Sequence, residues 1–237
     1  MSKNNLFPLP DKVLKANFDS LLSLLQRRRS VRDFKKNMIP PELIQKVLLA
    51  AECAPMGIPP SDVHVLVLET PEKVRAFSQD FCRSLEEMKW FTSGWFLKLM
   101  RPFWNKDTYL LFRDFVKPLV EKYTKSMKEG KNYITYDAPA ACYFYGTSYA
   151  DSADPVIPAT YAMLAAESLG LGTCLIGGVH PFIQRGKGAA KFREKYKIRH
   201  KSKEGLILLM GYPKIKFRKG IRRTFAKVDY LHPSRAN

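Results

Sequence analysis

The sequence predicts a single layered domain of helices and strands, α/β or α+β, on three observations. Amphipathic helical stretches alternate with short, nearly continuous apolar runs of strand length. Hydrophobic residues make up 46% of the 237 residues, enough for one sizeable core. No internal repeat or low-complexity linker divides residues 1–237.

Asp11, after Pro10, starts a helix over 11–29, DKVLKANFDSLLSLLQRRR, with Val13, Leu14, Phe18, Leu21, Leu22 and Leu25 at helical spacing. PPELIQKVLLAAECAP is a second helix, opened by Pro40, Pro41 and Glu42 and stopped before Pro55. APMGIPPSD is then a loop, and VHVLVLE, 63–69, a buried strand. Another helix begins at TPEKVRAF. From Trp90 to Lys128 aromatics and lysines dominate, and helical spacing breaks near Pro102 and Pro118. That stretch reads as two or three helices forming an insertion or lid at about 90–130.

APAACYFYGT is the next strand. DPVIPATYAMLAAESLG is a helix, apolar nearly all round and ending at Gly170, which suits the centre of the core or a subunit interface. GTCLIGGV is a strand running into a glycine turn, residues 181–197 are helical, and GLILLMGYP is the last core strand.

Lysine and arginine outnumber aspartate and glutamate 40 to 22, for a net charge of +18, which favours an anionic partner without saying which. The four cysteines form no CxxC pair, which argues against a zinc site or a disulfide framework and for the reduced thiols of the cytosol. MSKNNLFPLPDKVLK lacks the apolar core of a signal peptide, and no apolar run reaches the roughly 18 residues of a membrane span. A soluble cytoplasmic protein without membrane contact is expected.

Three stretches are candidates for chemistry. In RRRSVRDF, Arg28, Arg29, Ser30 and Arg32 could point several donors into one small volume, as a phosphate monoester requires. The same stretch is equally a solvated basic helix end complementing the helix dipole, and Arg27 keeps that plainer role. APMGIPPS is either a stiff connection or a rigid close approach to a flat ligand. Gly177 and Gly178 are either punctuation or a source of backbone N–H groups for a ring.

Other chemistries find no support. Gly170 and Gly172 follow a helix and precede a strand, the reverse of a dinucleotide fingerprint, and no GxxxxGK[ST] or GxSxG stretch occurs. His64, His180, His200 and His232 lack metal-like spacing. Cys53 and Cys174 sit in apolar settings that suit core packing. The basic run RGKGAAKFREKYKIRHKSK reads as a solvated helical face, since aromatics arrayed for base stacking are missing, which argues against nucleic acid as a partner.

Taken in order, RRRSVRDF, AAECAPMGIPP, ATYAMLAAESLGLGTCLIGG and LILLMGYP with its following arginines resemble the FMN-dependent nitroreductase family, from about residue 20 to 229. The resemblance implies a mixed α+β sheet flanked by helices, an intertwined homodimer, and one FMN in each of two interfacial clefts. It places Arg28, Arg29, Ser30 and Arg32 at the FMN phosphate, ribityl chain and pyrimidine. Pro55, Met56, Gly57 and Ile58 would cover one flavin side from the other subunit, Gly177 and Gly178 would face the N5 and O4 edge, and Arg222 with Arg223 would close on the phosphate. Where many members carry a Ser-Ser-x-Asn-x-Gln run, this chain has MGIPPS, so backbone and apolar contacts replace side-chain hydrogen bonds there.

The implied chemistry is carried by FMN, with NADH or NADPH as donor and a nitroaromatic, quinone or similar electron-poor acceptor, in ping-pong order. No side chain need act as acid or base, and no catalytic residue is assigned. The positive charge also suits an acidic electron-carrier protein, such as ferredoxin or flavodoxin, as donor. A flavin-sequestering or basic nucleic-acid-binding protein without turnover is the competing class. Flavin fragmentation or reductive dehalogenation has no distinguishing residues. In the insertion, Trp90, Phe91, Trp95, Phe96, Phe103 and Trp104 are either a lid over the acceptor or apolar mass buried against the core or a partner.

Overall fold

The structure is a computed structural model that describes residues 8–56 and 62–230. Its centre is a four-stranded antiparallel sheet in the order β1-β2-β4-β3, with β1 Val63–Leu68, β2 Ala140–Gly146, β3 Gly172–Ile176 and β4 Gly205–Gly211. All four strands arise where the sequence predicts them. β2 and β4 are apolar at nearly every position because both sheet faces are covered.

Alternation sorts their side chains into two cores. Ala140, Cys142 and Phe144 of β2, with Leu208 and Met210 of β4, meet Ile44 and Val47 of α2 (Pro41–Glu52) and Ala159 and Ala162 of α7 (Val156–Ser168). Ala141, Tyr143 and Tyr145, with Ile207 and Leu209, meet Phe77 and Phe81 of α3 (Pro71–Glu87) on the other face. Ile183 of α8 (His180–Gln184) and Phe192 of α9 (Lys187–Lys195) complete that second core. The result is a helix–sheet–helix sandwich, the α+β layering expected. Ala159, Ala162 and Ala166 of α7 are fully buried, which lets α2 and the sheet approach it from different sides.

The predicted helix over 11–29 is divided. Asp11 caps a single 3-10 turn, Lys12–Leu14, and the chain is extended at Lys15. Asn17 then accepts from the Ser20 amide at 2.8 Å and starts α1, Phe18–Arg27. A second good capping residue outcompetes continuation of the first turn. α1 has no buried residue, and Phe18, Leu21 and Leu25 are exposed.

The insertion comprises a 3-10 turn, Lys89–Thr92, then α4 Gly94–Met100 and α5 Lys106–Leu110, a π-helical stretch Leu111–Val116, and α6 Lys117–Lys128. One seam, including Phe91, Val120 and Tyr123, packs on the core beside α3. Phe96, Trp104 and Phe112 interlock in a second aromatic layer, with the Trp104 and Phe112 rings 4.6 Å apart. Trp90, Trp95 and Phe103 remain exposed. The aromatics thus divide between core packing and an outward face.

Candidate functional site

The basic segment emerges from the C-terminal end of α1 and lies on the free edge of β3. Arg28 leaves the helix with extended backbone angles. Ser30 then forms a parallel bridge with Thr173, in which the Val31 amide donates to the Thr173 carbonyl at 2.8 Å. Phe34 forms an antiparallel bridge with Pro213, just past β4. A strand edge offers unpaired backbone groups; the Ser30–Thr173 bridge uses those of β3, and the Phe34–Pro213 bridge ties the end of the segment to the chain past β4.

The segment converges on the middle of β3. Burial pushes the Cys174 thiol up, while Arg32, Ser30 and Arg28 beside it pull the other way. Burial likewise raises the Glu167 carboxyl, against a hydrogen bond from Thr173 Oγ1 at 2.7 Å and the nearby charges of Arg28 and Arg29. The Arg32 guanidinium stands 5.8 Å from the centre of the Tyr136 ring.

Arg29 is committed differently. Its guanidinium donates to the carbonyls of Gln26 at 2.7 Å and Arg28 at 2.6 Å, and to Lys219 at 3.4 Å. A Cβ on Gly220 would stand 2.8 Å from the same guanidinium, so the C-terminal strap, residues 214–230, crosses directly over it. Arg29 Nε is buried without a hydrogen-bond partner.

Gly177 and Gly178 follow β3 and nothing stands within 4 Å of where a Gly178 Cβ would be. Pro55 is exposed and Met56 half-buried just beyond α2, while Gly57 and Ile58 lie outside the described residues. Arg222 and Arg223 are exposed on the strap and form no ion pair among the described residues. The structure therefore brings Arg28, Arg29, Ser30 and Arg32 together beside the strand that ends in Gly177 and Gly178. Arg222 and Arg223 follow Gly220 on the strap that crosses Arg29. Cys174 is fully buried as expected, but Cys53 is exposed, because α2 ends there and its apolar neighbours turn inward without it.

Sequence reasoning passed over Glu167, Thr173 and Tyr136. A carboxylate in the otherwise apolar α7 was the available signal for the first. Two cavities lie elsewhere, one of about 430 Å³ beside α8 and one of about 360 Å³ between α3 and α6. The basic segment lines neither of them.

A family model described as "Nitroreductase family" matches residues 25–212, from the end of α1 to just past β4. The chain belongs to the nitroreductase family. Solved structures agree on the fold. A nitroreductase with bound FMN from Bacteroides fragilis matches with TM-score 0.65 at 16% identity, over 92% of this chain and 100% of its own. An FMN-bound nitroreductase from Desulfitobacterium hafniense gives 0.60 at 22% identity, over 89% and 97%. An FMN-dependent nitroreductase from Clostridium difficile gives 0.61 at 18%, over 91% and 100%. A sequence search of curated proteins returns no match. The basic segment runs beside Thr173 and Cys174 of β3, and the Gly177–Gly178 turn follows that strand.

Proposed function

We propose that this nitroreductase-family chain is an FMN-dependent oxidoreductase that works as a homodimer. The convergence of Arg28, Ser30 and Arg32 on the β3 edge carries the reading. When bound, FMN supplies a two-electron carrier between NADH or NADPH and an electron-poor acceptor such as a nitroaromatic or quinone, in ping-pong order.

The residues present fit a phosphorylated, planar group. Arg28 and Arg32 offer planar forks of N–H donors, and Ser30 a hydroxyl, the set that a phosphate monoester needs. Arg29 has an orphaned Nε and ties the strap down, so it positions the site more than it fills it. Open space at Gly178 leaves the end of β3 unobstructed for a flat ring. None of these groups needs to move a proton, and their positive charge favours an anionic reduced state of the bound group.

Homodimer formation is supported by apolar surface that one chain leaves uncovered. Phe18, Leu21 and Leu25 on α1, and Ile215, Phe217 and Ile221 on the strap, are all exposed. The basic segment follows α1 directly, and Arg29 holds the strap through Lys219, so both apolar rows belong to the elements that frame the site. A second copy of the chain is the partner that would cover them.

Among the described residues no helix is long and apolar enough to cross a membrane. The cytosol is the proposed compartment, because the cysteines are free thiols.

The test is the Arg28→Gln/Ser30→Ala double variant. Visible flavin absorbance of the purified protein should be lost while its circular dichroism is kept. Full FMN content in that variant, or a wild-type protein that is colourless and cannot be reconstituted with FMN, contradicts the reading.

A further inference from the structure

The cavity of about 430 Å³ is lined by Gln184, Arg185, Gly186, Arg193, Lys201 and Ser202, between the end of α8, the last turn of α9 and the loop before β4. None of these residues is acidic and three are cationic. Arg185, Arg193 and Lys201 form no ion pair among the described residues. Like charges gathered around one cavity repel, and a multivalent anion turns that repulsion into attraction.

The floor of the cavity is fixed by buried polar contacts. Gln184 is 6% exposed. Its Nε2 donates to Tyr143 Oη at 3.0 Å, and its Oε1 accepts from the Ser202 amide at 3.2 Å. Ser202 Oγ accepts from the Gly146 amide at 3.0 Å, and His180 Nε2 lies 3.3 Å from the Ser202 carbonyl. Lys201 is therefore carried on a pinned backbone. Arg193 donates to the Ile183 carbonyl at 2.6 Å, which holds its guanidinium in place and leaves its other N–H groups without a protein acceptor among the described residues. Gly186 has φ +96°, and a Cβ there would meet Met88 Sδ at 2.5 Å, so the turn that sets Arg185 beside α9 requires glycine.

We propose that this cavity binds the phosphate or pyrophosphate group of a small phosphorylated molecule, at a site separate from the Arg28–Arg32 segment. Two arginines supply planar donor forks and Lys201 a point charge, the combination suited to phosphate oxygens. A cavity of this size suits a small ligand, and the lining has no aromatic residue on which nucleic-acid bases could stack.

Calorimetric titration of the full chain with FMN bound, at constant ionic strength, tests the site, with pyrophosphate, ADP and a single-stranded oligonucleotide as probes. Pyrophosphate or ADP should saturate one site per chain. Tighter binding of ADP assigns a nucleotide as the source, and equal binding assigns the pyrophosphate group alone. Lys201→Gln and Arg185→Gln, which remove exposed charges, should each weaken binding by about tenfold. Flavin content should not change in either variant. Arg28→Gln/Arg32→Gln should leave pyrophosphate affinity intact. The proposal is overturned by the absence of saturable binding, by wild-type affinity in both charge variants, by loss of binding in the Arg28/Arg32 variant, or by binding of the oligonucleotide alone.

Discussion

Gly172→Ala should loosen the basic segment from β3 without touching any arginine. A Cβ at position 172 would lie 2.7 Å from Val31 Cγ2, 3.1 Å from its Cβ and 3.2 Å from its Cγ1. Carbon atoms gain attraction only near about 3.5–4.0 Å, so the closest contact is short by roughly 0.8 Å. Rotating the Val31 side chain cannot clear it, because Val31 Cβ is itself too close and the residue is buried. The backbone at Val31 must therefore give way, at an overpacking cost of about 1–3 kcal/mol. For a chain of this size each kcal/mol lowers the melting temperature by about 2–4 °C. The Val31 amide that would move is the one bonded to Thr173, so Ser30 and Arg32 shift with it. Thermal melts followed by circular dichroism, with FMN titration alongside, should show lower stability and weaker flavin binding together. Adding Val31→Ala removes two of the three clashing carbons, so the double variant should be more stable than the sum of the singles by about 0.5–3 kcal/mol. Additive effects, or wild-type melting and affinity in Gly172→Ala, would refute this account of how the segment is held.

Burial pushes the Asp80 carboxyl up, but hydrogen bonds from Lys195 and Tyr196 and the charge of Arg83 outweigh it and hold the group below its ordinary 3.8. Its stabilising effect is thus present above the unfolded value and lost as pH falls through the lower folded one, so the melting gap between wild type and Asp80→Asn should close below about pH 4. A gap constant with pH would assign the effect to packing instead. Tyr143→Phe leaves His180 Nδ1, 2.8 Å from the hydroxyl, and Gln184 Nε2 without that partner, and should cost about 1–3 kcal/mol in urea unfolding at unchanged m-value. Leu21→Lys/Leu25→Lys places charge on the exposed row of α1 and should yield a monomer with low flavin content by size-exclusion chromatography. A dimer of normal flavin content would move the subunit interface elsewhere.

The strands were legible because β2 and β4 must be apolar on both faces, and no helix period fits runs that short and continuous. α7 was legible for the same reason, its alanines lying between α2 and the sheet. The division of the first helix was not, since Asp11 and Asn17 are both competent caps and only the folded chain shows that both are used. Cys53 misled because its neighbours in α2 are apolar while its own position is the helix end. The site was legible as a composition and not as an arrangement. Arg28, Arg29, Ser30 and Arg32 could be picked out of RRRSVRDF, but the Ser30–Thr173 bridge joins positions far apart in sequence. Nothing in the string separates Arg29, whose Nη1 and Nη2 groups donate to backbone carbonyls, from Arg28 and Arg32.

That separation bears on how the segment can hold an anion next to a carboxylate. Glu167 lies close to Arg28 and Arg29, and a fully ionised carboxylate there would cancel part of the field that a phosphate needs. Two features limit the cancellation. Burial raises the Glu167 carboxyl, which makes its charge harder to form. Its Oε1 is also engaged by Thr173, the residue that bridges Ser30, so the carboxylate is held toward β3. Arg32 lies beside Cys174 and over Tyr136, where no acid pairs with it among the described residues. On the proposed FMN reading the segment divides its work: Arg29 ties the strap, Glu167 and Thr173 orient the edge, and Arg28, Ser30 and Arg32 are the donors for the phosphate. Arg32→Gln should accordingly weaken flavin binding more than Arg29→Gln at equal stability, whereas Arg29→Gln should expose the strap to limited proteolysis; the reverse order in both assays would exchange the two roles.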